Sequence, residues 1–164
     1  MSSSAGCENV SRKGRRATGG RTTIAVLAFV TFASSSNAFA VRIPIQASLS
    51  GGGEVPANDS PAQGFMEGTF DTDTNMLEWT VTYSGLTTAP ISASFHGPIS
   101  YLGLTPEENA PAQVGTPGSL ASPFRGEAKI DDDQAKDLKD GRWYFNLHSK
   151  KFPAGEIRGP VVRR

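Results

Sequence analysis

The chain has 164 residues and only two histidines, His96 and His148, so chemistry that needs an imidazole has two places to occur. His148 lies in G-R-W-Y-F-N-L-H-S-K-K-F-P-A-G-E-I-R-G, Gly141 to Gly159, where alternating runs flank a Lys/Pro/Gly turn. Successive side chains of a strand point to opposite faces, which puts Trp143, Phe145 and Leu147 on one side and Tyr144, Asn146 and His148 on the other. Beyond the turn, Ile157 falls on the apolar side and Glu156 and Arg158 on the polar one. A hairpin around Ser149 to Gly155, favoured by Pro153 and Gly155, would gather Asn146, His148, Glu156 and Arg158 on one surface. His96 ends a similar run: Ile91, Ala93 and Phe95 face one way, and Ser92, Ser94 and His96 the other, before Gly97-Pro98 stops it.

Two imidazoles and a carboxylate suit zinc or copper, which makes His96, His148 and Glu156 the metal candidates and a redox role the matching activity. Ligand count argues against it, because zinc uses three or four protein ligands. The favoured alternative has each histidine fixing a turn through one hydrogen bond, with Glu156 and Arg158 as an ion pair, no cofactor and no catalytic residue. A nucleophilic enzyme is disfavoured too: no G-x-S-x-G occurs, and Ser149 beside His148 points to the opposite face. No carboxylate pair stands out for glycoside cleavage. Asp131 to Asp133 reads as a helix start rather than a metal cluster, and D-T-D-T-N, Asp71 to Asn75, lacks the spacing, central Gly and closing Glu of a calcium loop.

The elements that must position these residues begin after a targeting segment. Arg12, Lys13, Arg15, Arg16 and Arg21 form a basic region, Ile24 to Ala33 an apolar run, and Ala38-Phe39-Ala40 a peptidase site, so residues 1–40 are expected to be a signal peptide cleaved after Ala40. The apolar run is too short to span a bilayer and ends at Ser34-Ser35-Ser36-Asn37, so no stable membrane insertion is expected after cleavage. Ala17-Thr18-Gly19 after Arg15-Arg16 favours general secretion over the twin-arginine route. Cleavage removes Cys7, the one cysteine, so no disulfide is available. It also removes five of sixteen basic and one of sixteen acidic residues, leaving eleven against fifteen and a net charge of −4. Nucleic acid is therefore excluded as a partner.

Residues 41–164 suffice for one domain. Strands are expected at Ile43 to Leu49, Phe65 to Phe70, Met76 to Tyr83, Ile91 to His96, Phe124 to Ile130 and in the final hairpin, with Tyr101 to Ser122 as one long loop. A single short helix is expected near 132–139, started by the aspartates and released by Gly141. The fold class is all-β: an antiparallel sandwich or barrel.

N-L-H-S followed by F-P-A-G-E-I-R-G resembles the C-terminal signature of the CHRD domain, a module named after chordin and found in many bacterial exported proteins. F-R-G-E-A-K-I (Phe124 to Ile130), A-S-F-H-G-P (Ala93 to Pro98) and Q-A-S-L-S-G-G-G-E-V-P (Gln46 to Pro56) extend the resemblance over nearly all of residues 41–164. One position departs: Ser94 stands where the family's H-x-H-G-P segment has its first histidine, which removes a third imidazole. The resemblance implies an immunoglobulin-like or superoxide-dismutase-like Greek key. The expected function is a non-enzymatic binding or interaction module of the periplasm or cell exterior, with an unidentified extracytoplasmic ligand or protein as partner. Its polar cluster is Ser94, His96, Asn146, His148, Glu156 and Arg158. The alternatives are a copper or zinc protein with oxidoreductase activity and an inert envelope component. Chordin's growth-factor binding is not carried over, because the cysteine-rich modules that accompany its domains have no counterpart here.

Overall fold

The computed structural model describes residues 41–100 and 109–164. The expected signal peptide, with Cys7, and the first part of the expected long loop lie outside the described residues. Among the described residues nine strands form one antiparallel sheet: β1 (Arg42–Ser50), β2 (Gln63–Asp71), β3 (Met76–Ser84), β4 (Pro90–His96), β5 (Ala112–Gly115), β6 (Phe124–Lys129), β7 (Tyr144–Ser149), β8 (Ile157–Pro160) and β9 (Val162–Arg163). Their order is β5-β4-β7-β8-β1-β2-β3-β6, with β9 beside β1. The sheet curls into a nearly closed barrel, so the all-β antiparallel expectation holds.

Alternation drives the curl. Ile45, Ala47 and Leu49 of β1, Met66 and Phe70 of β2, and Leu77, Trp79 and Val81 of β3 point inward and are buried. They meet Ala93, Phe95, Phe145 and Leu147 from the other half. Phe95 sits at the junction, edge-on to Trp79 at 5.0 Å and to Phe145 at 4.9 Å between ring centroids. Aromatic pairs in this geometry add about 0.5–1.5 kcal/mol beyond area burial. The Trp79 indole of β3 donates to the hydroxyl of Thr116, the residue after β5, at 3.2 Å.

The helix α1 (Asp132–Lys139) occupies the expected span. The Asp131 carboxylate accepts from the Gln134 amide, and the Gln134 side chain accepts from the Asp131 amide, a complete capping box. Gln134 also donates to Gln113 of β5, tying the helix to an edge strand.

Three details differ from expectation. The long loop contains β5, whose four residues carry one large apolar side chain, Val114, so local alternation is too short to announce it; the ladder to β4 makes the strand. The last residues add β9 against β1. Ile91 is 47% exposed and does not join Ala93 inside, because the ladder to β7 shifts register between Pro90 and Ser92.

Candidate functional site

Strands β4, β7 and β8 are adjacent, and the register places Asn146 opposite both Ser94 and Arg158, His96 opposite Tyr144, and Ser92 opposite His148. Ser94, His96, Tyr144, Asn146, His148 and Arg158 therefore share the face of the sheet opposite the core. This face is not open: Tyr144, Asn146 and Arg158 are buried, and the two histidines half-buried. Part of the cover is a loop after the 3₁₀ turn Gly51–Gly53, which brings Glu54 over Asn146.

Each imidazole has one nitrogen fixed by the backbone. His96 Nδ1 lies 2.9 Å from the Ala110 carbonyl and His148 Nδ1 3.1 Å from the Pro153 carbonyl. A carbonyl oxygen only accepts, so both rings carry their proton on Nδ1 when neutral and present a lone pair at Nε2. His96 Nε2 receives the Ser94 hydroxyl at 2.8 Å. Burial lowers both histidines below the ordinary imidazole value, with Arg158 adding to the effect at His96 and His96 adding to it at His148. The rings lie 5.7 Å apart although their strand positions are four residues apart along β7, so they lean toward one another over Ser94 and Asn146.

Tyr144 supports this arrangement from below. His96 stacks on its ring at 5.0 Å with planes 8° apart, and the Arg158 guanidinium lies 4.1 Å from the ring centroid. Since β7 runs between β4 and β8, the ring separates the imidazole from the cation. The Tyr144 hydroxyl accepts from the Ala110 amide at 3.0 Å, and Arg158 donates to the Asn109 side chain at 2.8 Å. The same two residues thus hold down residues 109–110, which supply the carbonyl that orients His96.

Glu54 is the member of this cluster that sequence reasoning missed. It is 6% exposed, and burial pushes its carboxyl up to about 7 against the pull of Arg158 and the Asn146 amide. Asn146 donates to Glu54 Oε2 at a long 3.4 Å, while Glu54 Oε1 and Asn146 Oδ1 have no hydrogen-bond partner. Gly155, at φ +140°, lets the carboxylate approach: a Cβ there would lie 2.6 Å from both Glu54 Oε2 and Asn146 Nδ2. An acidic side chain directly after three glycines, with few acids nearby, was the available signal.

Glu156 is placed elsewhere. It precedes β8, and the left-handed Gly155 before it breaks the alternation that would have aligned it with Arg158. Its Oε1 accepts from the Ser60 hydroxyl at 2.7 Å and the Thr87 amide at 2.8 Å. Burial alone would raise its carboxyl, yet donors around it, the Ser60 hydroxyl and the Thr87 amide among them, hold it below the ordinary value. The expected ion pair with Arg158 is thus replaced by a carboxylate that ties three connections together. It does not join His96 and His148 as a ligand set, and no group of three or more His, Cys, Asp or Glu that could hold a metal occurs among the described residues.

A hydroxyl on the Nε2 of an oriented imidazole is also the start of a serine nucleophile. Ser94, however, is 8% exposed and lies where β4 is paired on both flanks, which commits the neighbouring backbone amides to the ladder rather than to an oxyanion. A separate open groove of about 810 Å³ on the β2-β3-β6 side, lined by Glu67, Glu78, Trp79 and Arg125 among others, contains none of these residues.

Among the described residues, the curled antiparallel sheet with a single short α-helix and a polar cluster on its outer face defines a small β-domain with an organised histidine site. The CHRD domain model matches residues 45–161, most of the chain, and the chain belongs to that family. No curated protein and no solved structure matches it.

Proposed function

We propose that this protein is exported and acts outside the cytoplasm as a non-enzymatic binding module, with the His96–His148 face as its binding surface. One observation carries the proposal: His148 Nε2 is an acceptor without a hydrogen-bond partner on a half-buried ring whose other nitrogen is fixed by the Pro153 carbonyl. Support for export is the basic, apolar and small-residue succession of residues 1–40. The absence of an oxyanion site beside Ser94 argues against turnover.

The test is a thermal-shift panel on the untagged protein with first-row divalent metal ions, murein fragments, inorganic phosphate and anionic glycans as probes. A probe that raises Tm for the wild type but not for His148→Ala supports the binding surface. No His148-dependent shift from any probe overturns it. An intact mass that retains residues 1–40 in protein recovered from outside the cytoplasm would contradict the proposed processing.

A further inference from the structure

Of everything the fold brings together, the pair of imidazoles is the feature whose geometry is hardest to explain as packing. Both rings give their Nδ1 proton to a backbone carbonyl, the outer-shell arrangement that orients metal-bound histidines and raises their basicity. His96 Nε2 points at Ser94, which lies between the two ring positions in the register. With metal–nitrogen bonds of ~2.0 Å and ~1.1 Å from ring centre to nitrogen, two imidazoles on one metal have centroids about 5 to 6 Å apart. The observed separation is 5.7 Å.

We infer that His96 and His148 bind a single copper ion through their Nε2 atoms, over Ser94. This rests on the proposal that the face is a binding surface and names its ligand. Copper is favoured over the other divalent metals for three reasons. It heads the affinity order for nitrogen donors. Zinc sites call for three or four protein ligands, and no such group occurs among the described residues. A two-imidazole site leaves coordination positions open to solvent, which the half-exposed rings permit. Ser94 must turn its hydroxyl away from His96 Nε2, or serve as a third, weak oxygen donor. Ser94 therefore tunes the site: a histidine there would add a nitrogen between the other two.

The experiment is a Cu(II) titration by calorimetry on the untagged protein recovered after export, whose residues 41–164 contain no thiol to compete, with electron paramagnetic resonance on the loaded protein. One equivalent should bind, with nitrogen couplings in the spectrum. Loss of a ligand should matter at least as much as loss of an outer-shell partner, so His148→Ala should weaken binding about tenfold or more. His148 is half-exposed with one hydrogen bond, and that variant should fold with nearly unchanged metal-free Tm. Ser94→Ala, which removes the competing hydrogen bond, should bind copper at least as tightly as the parent. Equal copper affinity in parent and His148→Ala, or a spectrum without nitrogen couplings, overturns the inference. If copper fails while another probe gives a His148-dependent shift, the copper site is wrong and the binding surface stands; if no probe does, both fall.

Discussion

Glu54 and Glu156 show how two buried carboxylates in one domain acquire opposite characters. Each leaves one carboxylate oxygen without a partner, but the other oxygen of Glu156 gathers the Ser60 hydroxyl and the Thr87 amide and sits below its ordinary value, whereas that of Glu54 has one long bond from Asn146 and its carboxyl sits near 7. A folded-state value raised above the unfolded one means that the native state holds the proton more tightly. Glu54 therefore subtracts stability progressively as pH rises from about 4.5 to about 7. Glu54→Gln should match the parent near pH 4.5 and exceed it at pH 8 by on the order of 1–2 kcal/mol, discounted from the full shift for partial solvent screening. Melting curves across that range check it. His96 and His148, lowered by burial, act in the other sense: their contribution is present above the ordinary value of 6.5 and lost as pH falls below it. Glu156→Gln should cost about 2 kcal/mol in urea unfolding at neutral pH, because charge-assisted bonds from the Ser60 hydroxyl and the Thr87 amide lose their anion. Unchanged stability would mean that the three connections do not depend on it. Arg158→Lys should cost about 1–2 kcal/mol, since lysine cannot both reach Asn109 and lie flat on Tyr144.

At the scale of elements, the final hairpin was legible and its flanking turn was not. Alternation from Trp143 to His148 named the inward and outward sides correctly, because β7 is regular and paired along its length. It failed at Glu156, where the residue lies outside the strand and Gly155 has a backbone that no alternation rule describes. The capping box at Asp131 was readable because its interactions are local. Strand β5 was not, because four residues between prolines become a strand only through a partner distant in sequence. The Gly155 turn carries its own expectation. Gly155→Ala should destabilise by about 2–3 kcal/mol, through both the positive φ and the clash with Glu54 and Asn146. A denaturation midpoint equal to the parent's would contradict the packing described between the turn and Glu54.

At the scale of the molecule, one half of the barrel (β1-β2-β3-β6) presents inward apolar residues and a polar exterior, and the other (β5-β4-β7-β8) has polar residues buried on its outer face as well. The class of fold was legible because strand periodicity and turn residues are local signals. The cover on the second half was not, since Glu54, Asn109 and Ala110 reach it from connections whose partners are 92, 49 and 34 residues away. That cover distinguishes a built site from an ordinary solvated strand face, and its Ala110 carbonyl, with the Pro153 carbonyl of the final hairpin, fixes both imidazoles with Nε2 unprotonated. The most direct measurement is a long-range ¹H–¹⁵N correlation spectrum of the histidine side chains near pH 7.5. Two neutral rings, both protonated on Nδ1, are the predicted result. An Nε2 proton on either ring, or a charged imidazolium at that pH, would contradict the account.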